Sequence, residues 1–373
     1  MTSFDVGIVG LGAMGSMAAL ELARRGRRVV GFDRFRPPHP FGSSHGKSRI
    51  IREAYFEHPQ YVPLVQRAYE QWKILEQEAG LQLLLPTGGL MIGPPDGVLV
   101  TGARRSAEQH GLPYEELTAA ETRSRFPVFE LGAGDVGLFE PRAGVLAPEA
   151  AIESALRLAE AAGAELHYEE PVSSWNAGEA ITLRTRAGHW RVERLILAAG
   201  AWMAGELVRT PLPLRVARQT LFWFDSLADP ALTSPERMPV FIWEWEAGRM
   251  FYGFPDLGDG VKLAIHHEGE ATTPTEVRRT VYPGEADRLL ALMAAHTPLL
   301  VGPLRQSAVC LYSNTPDGDF ILDRHPLEGR VLLASPCSGH GFKFAPAIGE
   351  VLADLLEDKP PRFELTPFRL GRF

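Results

Sequence analysis

The first part of the chain alternates apolar runs with a glycine-rich turn. Residues Val6 to Val9 form an apolar run that predicts a buried strand, and the segment GLGAMG follows at once. Apolar residues at helical spacing up to a stop at Gly26 predict a helix, and Val29 to Asp33 predict a second strand. This order of strand, turn, helix and strand is typical of a βαβ unit that binds a dinucleotide.

The spacing of apolar residues typical of helices and that typical of strands both recur along the rest of the chain. Helical patterns cover residues 61–79, 148–162 and 345–356, and the Gly- and Ser-rich segment 42–55 predicts a loop leading into a helix. Strand patterns cover 90–92 and the pair 181–186 and 190–193, both expected in hairpins, and also 195–198, 332–334 and the aromatic stretch 239–266.

These patterns predict an α/β fold of two interleaved domains. The nucleotide-binding pieces fall at both ends and in the middle of the chain, so we expect a discontinuous, doubly wound Rossmann-like domain over residues 1–82, 143–212 and 305–373. Residues 83–142 and 213–304 are then expected to form a substrate domain of the α+β type, built on a mainly antiparallel sheet.

Composition narrows the class of protein. The 373 residues carry a formal net charge of −8, which argues against nucleic acid or an anionic membrane as the main partner. Two cysteines cannot form a disulfide framework, and the chain shows neither a secretory signal nor an apolar run of about 18 residues. We therefore expect a reduced, cytoplasmic, soluble protein without a metal site.

The glycine turn predicts a dinucleotide site. Gly10 permits the tight turn, Gly12 allows a pyrophosphate to approach the backbone, and Gly15 allows helix and strand to pack closely. Asp33 ends the second strand, where a carboxylate can accept hydrogen bonds from ribose hydroxyls, which argues against a 2′-phosphate and hence against NADP. The pattern alone leaves FAD and NAD both open.

Six motifs in order carry a resemblance to a known family. The chain resembles the monomeric sarcosine oxidase and N-methyltryptophan oxidase group of FAD-dependent amine oxidases, within the larger D-amino-acid oxidase superfamily. The resemblance runs over nearly the whole chain. It rests on GLGAMG (10–15), GSSHGKSRIIREAY (42–55), LAAGAW (197–202), VKLAIHH (261–267), CLYSNTPDGDFILDRHP (310–326) and SGHGFKFAP (338–346).

The resemblance implies an FAD cofactor bonded to cysteine. It matches Cys310 to a cysteine joined through sulfur to the flavin 8α position, whereas a buried free cysteine is the alternative on residue type alone. Cys337 is the rival attachment point. The cofactor-binding residues that we expect are Gly10, Gly12, Ala13, Met14, Gly15, Asp33, Arg34, Ser43, Arg49, Ala199, Gly200, Trp202, Cys310, Gly339, Gly341, Phe342 and Lys343.

The resemblance also assigns roles to three cations. Arg52 and Lys343 are implied to hold the substrate carboxylate through charge-assisted hydrogen bonds; the alternatives are a salt bridge of Arg52 with Glu53 or Glu57, and a solvated helix end for Lys343. Lys262 lies in an apolar strand and is implied to activate oxygen, its charge stabilising superoxide. The alternative for Lys262 is a strand lysine whose ammonium reaches water.

Further site residues follow from the same motifs. His45 and Arg49 are expected over the flavin on the face away from the substrate, with a solvated basic loop as the alternative, and His266 and Tyr312 on the substrate side. Tyr55 and His340 are weaker candidates. The stretch containing Trp243, Trp245, Phe251 and Tyr252 is expected to wall the substrate pocket, although at least half of these four are expected in ordinary core. Phe251 is expected to bind substrate and stands where a tyrosine is common in the family.

The implied reaction is the oxidation of a secondary amino acid by O₂, most simply of sarcosine to glycine, formaldehyde and hydrogen peroxide. Electrons leave as a hydride equivalent or through a polar adduct. The alternatives are a larger or cyclic substrate (N-methyltryptophan, pipecolate, proline or a glycated amino acid), a flavin dehydrogenase with another acceptor, and a non-catalytic or NAD-binding protein. The resemblance implies a monomer whose partners are O₂ and a small substrate with a carboxylate.

Overall fold

The computed structural model describes residues 3–373, which fold into two large sheets with helices packed on them. The strands of this range are β1 Ser3–Val9, β2 Val29–Phe32, β3 Arg49–Ile51, β4 Leu84–Pro86, β5 Gly89–Gly93, β6 Glu115–Thr118, β7 Val136–Glu140, β8 Gly144–Leu146, β9 Glu165–His167, β10 Ser174–Ala177, β11 Ile181–Arg184, β12 His189–Leu197, β13 Arg215–Phe224, β14 Val240–Glu246, β15 Arg249–Phe254, β16 Val261–Ile265, β17 Glu270–Ala271, β18 Leu304–Asn314, β19 Ile321–His325 and β20 Glu328–Ser335. The α-helices are α1 Ala13–Arg24, α2 Val62–Ala79, α3 Val98–His110, α4 Ala119–Arg125, α5 Pro148–Ala161, α6 Pro230–Thr233, α7 Asp287–His296 and α8 Ala345–Leu356.

The first sheet has a parallel centre in the order β9, β2, β1, β12, β20. The centre of this sheet is apolar because its strands are covered on both faces; Val29 to Phe32, for example, are all buried. Helix α1 packs on this sheet and contacts both α5 and α8. This is the doubly wound arrangement that the sequence predicts, with the glycine turn at the carboxyl end of β1.

The second sheet has nine strands and is antiparallel except for the pair β5 and β14. Its core is aromatic: Phe129, Phe241, Trp243 and Phe251 pack together with at most 1% of their surface exposed. A third, small sheet consists of β3, β8 and β4, all antiparallel. The mixed α/β class with a mainly antiparallel second sheet agrees with the fold expected from the sequence.

Four local expectations differ from the structure. Strand β3 lies inside the segment expected to be a loop; it forms because Ile50 and Ile51 pair with β8, far along the chain. The two strands expected at 190–193 and 195–198 are one strand, β12, which pairs with β11 at its start and with β20 at its end. Strand β5 is a strand as expected but has no local hairpin partner, since it pairs with β7 and β14.

The fourth difference concerns a domain boundary. Sequence analysis places residues from 305 onward in the nucleotide-binding domain, but β18 pairs with β13 along almost its whole length and so belongs to the nine-stranded sheet. An apolar strand pattern does not show to which sheet a strand belongs, because the pairing partners of a strand are set by tertiary structure.

Within residues 3–373, no helix combines the length and the apolar character needed to cross a membrane. The same range contains no group of three or more His, Cys, Asp or Glu side chains arranged to hold a metal ion.

Candidate active site

A long cleft with about 1950 Å³ of space between its walls, part of it open to solvent, runs from the glycine turn to the nine-stranded sheet. Sixteen of the seventeen residues expected to bind the cofactor line it, all except Gly15. Of the other expected site residues, Arg52, Lys262, His266 and Tyr312 line it, whereas His45, Tyr55 and Phe251 do not.

The glycine turn leaves backbone open to the cleft. Gly10 has φ of +93°, and a Cβ there would lie 2.5 Å from the Ala198 carbonyl oxygen. A Cβ at Gly15 would lie 1.7 Å from the Gly10 carbonyl oxygen, so this glycine allows α1 to pack on the turn without touching the cleft. A Cβ at Gly12 would meet no atom within 4 Å, which leaves room for a pyrophosphate at the amino end of α1.

Asp33 is fixed at the end of β2. One of its carboxylate oxygens accepts a hydrogen bond from the Leu11 N–H at 2.7 Å, and the other accepts from the Phe35 N–H at 2.9 Å. The carboxylate is therefore oriented, and its remaining lone pairs face the cleft, where ribose hydroxyls can donate to them.

Three cleft residues carry a buried polar atom without a partner. Among the described residues that line the cleft, the Ser43 and Ser313 hydroxyls and the Trp202 indole nitrogen have no hydrogen-bond partner in the protein. Buried polar groups are nearly always paired, so these atoms fit a polar ligand. Together with the glycine turn and Asp33, they make the cleft a suitable site for FAD.

Cys310 lies in the cleft wall on β18, opposite Gln219 of β13. Its sulfur is 3.8 Å from an Arg49 nitrogen and 3.5 Å from the Ser43 carbonyl oxygen. Cys337 also lines the cleft, but burial raises the pKa of its thiol to about 11, which keeps that thiol neutral and unreactive.

Lys262 extends from β16 into the cleft, and its ammonium is enclosed. Its Nζ donates hydrogen bonds to the Gly46 carbonyl at 2.7 Å and to the Ser48 carbonyl and hydroxyl at 3.0 and 3.1 Å. Three acceptors match the three hydrogens of an ammonium group. Burial, followed by the charge of Arg49, holds the pKa of Lys262 well below its ordinary value. The side chain does not reach water, so the alternative of a solvated strand lysine is wrong.

Arg49 and His45 do not act as a pair. Arg49 lines the cleft and donates to the carbonyls of Ser43, His45 and Ser48 at 2.6 to 2.7 Å, which ties the preceding loop together. The His45 side chain is buried outside the cleft. Burial and the charges of Arg49 and Lys262 lower the pKa of His45 to about 4, so its ring is neutral. His45 itself does not line the cleft, and its expected place over the flavin stays a prediction.

Arg52 marks the substrate end of the cleft and is already paired. Its guanidinium donates to both carboxylate oxygens of Glu57, at 2.8 and 2.6 Å, and to the Ala54 carbonyl at 3.0 Å. It also lies 4.2 Å from the ring centre of Tyr55 and 4.5 Å from that of Phe56. Although burial opposes the charge, Glu57 holds the pKa of Arg52 above its ordinary value. Arg52 is thus an enclosed cation whose carboxylate partner also lines the cleft.

Lys343 lies in the turn before α8. Its Nζ donates to the His340 carbonyl at 2.7 Å and to the Tyr55 hydroxyl at 3.4 Å, and the side chain lines the cleft. Burial, and then the charge of Arg52, lower the pKa of Lys343 to about 7. The alternative of a solvated helix end is wrong, since only 5% of the residue is exposed.

Tyr55 acts behind Lys343 and does not touch the cleft. Its hydroxyl lies 2.6 Å from Nδ1 of His340, whose Nε2 is 3.0 Å from the Gly318 carbonyl oxygen. The carbonyl can only accept, so Nε2 carries the hydrogen and Nδ1 accepts from Tyr55. The tyrosine therefore fixes the turn that carries Lys343, and the expectation that it contacts substrate is wrong.

Strand alternation decides which aromatic residues of the nine-stranded sheet face the cleft. Tyr252 and Phe254 line the cleft, whereas Phe251 points to the opposite face and stacks with Trp243 at 5.7 Å between ring centres. The substrate-binding role expected for Phe251 is wrong for this reason. The expectation that at least half of the four aromatic residues are core is correct, because only Tyr252 among them lines the cleft.

His266 and Tyr312 meet at the substrate side, with 3.3 Å between Nδ1 and the hydroxyl. Burial, and then the neighbouring His267 and His340, hold the pKa of His266 well below its ordinary value. Its imidazole is therefore neutral and can accept or donate one hydrogen bond without adding charge.

Sequence reasoning missed several residues at the substrate end as cleft residues. Ile50, Phe56, Glu57 and Ile242 line the cleft. Glu57 was weighed only as a salt-bridge partner, and the alternation of β14 could have placed Ile242 on the same face as Tyr252. No local pattern distinguishes Phe56 from an ordinary apolar residue.

The comparisons with known proteins identify the family of the chain. Residues 5–355 match the family described as FAD dependent oxidoreductase. The chain is 40% identical to monomeric sarcosine oxidase of Streptomyces avermitilis over 95% of this chain and 93% of that protein, and 35% identical to N-methyl-L-tryptophan oxidase of Citrobacter koseri over 99% of each.

Solved structures show the same fold at lower identity. NikD, an unusual amino acid oxidase essential for nikkomycin biosynthesis, superposes with a TM-score of 0.86 at 22% identity, over 99% of this chain and 98% of that one. Glycine oxidase from Geobacillus kaustophilus gives 0.81 at 22% identity over the whole of both chains. The chain therefore belongs to the family of FAD-dependent oxidoreductases, and its resemblance to sarcosine oxidase and N-methyltryptophan oxidase is confirmed.

Proposed function

We propose that this protein is an FAD-dependent oxidase of secondary amino acids and that sarcosine is its substrate, converted with O₂ and water to glycine, formaldehyde and hydrogen peroxide. The observation that carries the proposal is the pair of enclosed cations, Arg52 and Lys343, at one end of a cleft that fits FAD. Relatives at 40% and 35% identity bear the names of oxidases of N-methyl amino acids, which supports the same substrate class.

FAD, when bound, accepts the two electrons of the carbon–nitrogen bond and passes them to O₂. We propose that Cys310 holds it covalently through the flavin 8α carbon. The position of the sulfur in the cleft wall, 3.8 Å from a guanidinium nitrogen, and the neutral state of Cys337 support Cys310 as the attachment point.

The first task of the protein residues is to hold the carboxylate. The substrate replaces Glu57 as the anion on Arg52 and receives a second charge-assisted hydrogen bond from Lys343. Two fixed cations orient the amino acid so that its nitrogen and methyl group point along the cleft, away from the carboxylate. Orientation of this kind converts binding energy into rate.

The second task is to receive the amine in its neutral form. His266 and His340 both line the cleft, and burial keeps both imidazoles neutral, with the pKa of His340 lowered to about 4. The His266 ring can hydrogen-bond the amine without repelling it or adding a strong base, whereas both ring nitrogens of His340 are already paired, with Tyr55 and with the Gly318 carbonyl. Apolar side chains of Tyr252, Phe254 and Ile242 exclude water from the same place.

The third task is the reaction with oxygen, which we assign to Lys262. The Lys262 nitrogen is enclosed on the cleft wall. Negative charge that develops on an oxygen molecule beside this nitrogen raises the affinity of the nitrogen for a proton. Lys262→Met removes this group while keeping much of its volume. Oxygen consumption is expected to fall while flavin reduction by substrate persists; equal oxygen rates in the two proteins would contradict the assignment.

The substrate assignment is tested by a panel. Hydrogen peroxide and the aldehyde or imine product are measured with sarcosine, N-methyltryptophan, pipecolate, proline and a glycated amino acid. The proposal predicts the highest kcat/KM with sarcosine and one peroxide for each formaldehyde. A higher value with a larger or cyclic amino acid would transfer the assignment to that substrate, and flavin reduction without peroxide would indicate a dehydrogenase.

A further inference from the structure

Residues 42–57, here named the site segment, carry much of the proposed chemistry. The segment contributes Arg49, Arg52 and Glu57 to the cleft, and its carbonyls at Gly46 and Ser48 receive the Lys262 ammonium. Only its central strand β3 belongs to a sheet, and that strand has three residues. Other contacts must therefore fix the parts before and after it.

Two glutamates supply those contacts, one on each side of β8. Strand β8 pairs with β3, while Glu140 precedes β8 and Glu149 follows it in the first turn of α5. Each carboxylate accepts hydrogen bonds from two consecutive backbone amides of the site segment. Neither glutamate lines the cleft.

Glu149 holds the part before β3. A single oxygen, Oε1, accepts from the Gly46 N–H at 2.8 Å and from the Lys47 N–H at 3.0 Å. Both amides belong to a turn with positive φ, +96° at Gly46 and +68° at Lys47, which costs free energy for a lysine. The Gly46 carbonyl in this turn is the nearest acceptor of Lys262, so Glu149 fixes the place of that ammonium through the turn.

Glu140 holds the part after β3. Its Oε1 accepts from the Glu53 N–H at 2.6 Å and its Oε2 from the Ala54 N–H at 2.9 Å. The same stretch of backbone bears Arg52, and the Ala54 carbonyl accepts from the Arg52 guanidinium. Glu140 is almost wholly buried, with 1% of its surface exposed, so these bonds are shielded from water.

We propose that Glu140 and Glu149 are positioning residues that act on opposite halves of the reaction, Glu140 on carboxylate binding through Arg52 and Glu149 on the reaction with oxygen through the Gly46 turn and Lys262. The inference rests on the proposed function, because it uses the roles of Arg52 and Lys262. The inference adds to the site two residues that do not line the cleft. It assigns Glu140 to the reductive half-reaction and Glu149 to the oxidative half-reaction.

The bonding pattern dictates a different choice of variant at each site. Glu149 uses one oxygen for both amides, and a glutamine carbonyl oxygen can do the same. We name such a pair of hydrogen bonds from two consecutive backbone amides to one carboxylate a clasp. Glu149→Gln therefore preserves the clasp and Glu149→Ala removes it. Glu140 uses both oxygens, and a glutamine would present an NH₂ group to one backbone N–H. Glu140→Gln therefore breaks that clasp without changing the size of the side chain.

The chain offers a matched control for each variant. Buried Glu244 also uses two oxygens for two amides, those of Leu99 at 2.9 Å and Gly248 at 2.8 Å, and matches Glu140→Gln as Glu244→Gln. Glu76 also uses one oxygen for two consecutive amides, Leu83 at 2.7 Å and Leu84 at 2.8 Å, and matches Glu149→Ala as Glu76→Ala. Neither control residue lines the cleft, so the controls report any loss of general stability.

The half-reactions are measured separately on flavin-loaded protein. Anaerobic mixing with sarcosine gives the apparent Kd and the limiting rate of flavin reduction, and mixing of dithionite-reduced protein with O₂ gives the rate constant of reoxidation. Hydrogen exchange of peptides that cover residues 43–48 and 52–55 reports the two clasps independently of activity.

Each variant is expected to change one half-reaction. Because misplacement of a catalytic group by an ångström costs up to about a hundredfold, we expect Glu140→Gln to raise the Kd about tenfold and Glu149→Ala to lower the reoxidation constant about tenfold. The reoxidation constant of Glu140→Gln and the Kd of Glu149→Ala should stay within about twofold of wild type. The same holds for both constants of Glu149→Gln and of the two controls. Exchange should rise at 52–55 in Glu140→Gln and at 43–48 in Glu149→Ala.

The results that overturn the inference differ from those that overturn the proposed function. If Glu140→Gln and Glu149→Ala change both constants together, or neither, or only as their controls do, the assignment to separate halves fails. That result would leave the proposed function intact, provided that Lys262→Met slows reoxidation and Arg52→Lys weakens sarcosine binding. If those two variants behave as wild type, the proposed function fails first.

Discussion

The charge on Lys343 makes anion binding depend on pH in a way that can be calculated. Burial and the neighbouring Arg52 lower the pKa of Lys343 to about 7, far from its ordinary value of 10.5. The ammonium is therefore present below pH 7 and lost as the pH rises through 7. Since a carboxylate binds to the charged form, its affinity should be highest below pH 7 and fall above it.

The size of the effect follows from the same pKa. At pH 9, about two units above it, roughly 1% of Lys343 is protonated, and restoring the proton costs about 2.7 kcal/mol, or about a hundredfold in Kd. His340, with a pKa lowered to about 4, and His266 are uncharged across this range and contribute no slope. Glu140, whose pKa burial raises to about 7, gains negative charge in the same window and acts in the same direction.

The assay uses a carboxylate without an amine, so that substrate ionisation does not interfere. Propanoate is titrated into flavin-loaded protein between pH 6 and pH 9, and the change in the visible spectrum of the flavin gives its Kd. Lys343→Met is the comparison, since loss of a buried ammonium removes a desolvation cost and should leave the fold intact.

The wild-type Kd should rise about a hundredfold from pH 6 to pH 9, whereas the Kd of Lys343→Met should be high throughout and meet the wild-type value at pH 9. Any slope left in the variant belongs to Glu140 or another group. A flat wild-type profile, or parallel profiles for the two proteins, would refute the argument that Lys343 binds the carboxylate as a cation with a lowered pKa.

Three further substitutions test separate parts of the site. Glu57→Gln removes the anion that competes for Arg52 and should lower the Kd of sarcosine, by about fivefold for a net gain near 1 kcal/mol; an unchanged or higher value in anaerobic titration would contradict the competition. Cys310→Ser should release flavin into the supernatant after acid precipitation, whereas wild type keeps it in the pellet; flavin retained by the variant would exclude this attachment point. Gly15→Ala places a methyl group against the Gly10 carbonyl and should lower the free energy of unfolding by about 3 kcal/mol and reduce FAD retention; wild-type stability in thermal unfolding would show that the turn is not tightly packed.

The nucleotide-binding half of the fold could be predicted because its signals are local. The glycines, the helix and the terminal acid of the second strand follow one another within 33 residues, and each has a physical reason to be where it is. Gly12 and Asp33 face the cleft as the pattern predicts.

The substrate half could be predicted only in part, because strand alternation fixes two faces but not which of them is the cleft. A shift of one residue exchanges the faces, and this places Phe251 in the core and Tyr252 in the cleft. The pairing of β18 with β13 and of β3 with β8 joins residues far apart in the chain, so no local pattern reports them.

The state of the charged residues also depends on tertiary structure. Sequence motifs point to Arg52, Lys343 and Lys262, but not to the pairing of Arg52 with Glu57 or to the depth at which the lysines are buried. Those contacts decide the lowered pKa values of the lysines and the competition for Arg52, which in turn set the expected pH dependence and affinity.

The most direct test of the central claim is the anaerobic reaction of the flavin-loaded protein with sarcosine and with dimethylamine, which has the same secondary amine but no carboxylate. The account predicts rapid, saturable loss of the flavin's visible absorbance with sarcosine and very slow loss with dimethylamine, because only sarcosine can bind Arg52 and Lys343. No bleaching with sarcosine or any other amino acid of the panel, or equal bleaching with dimethylamine, would contradict it.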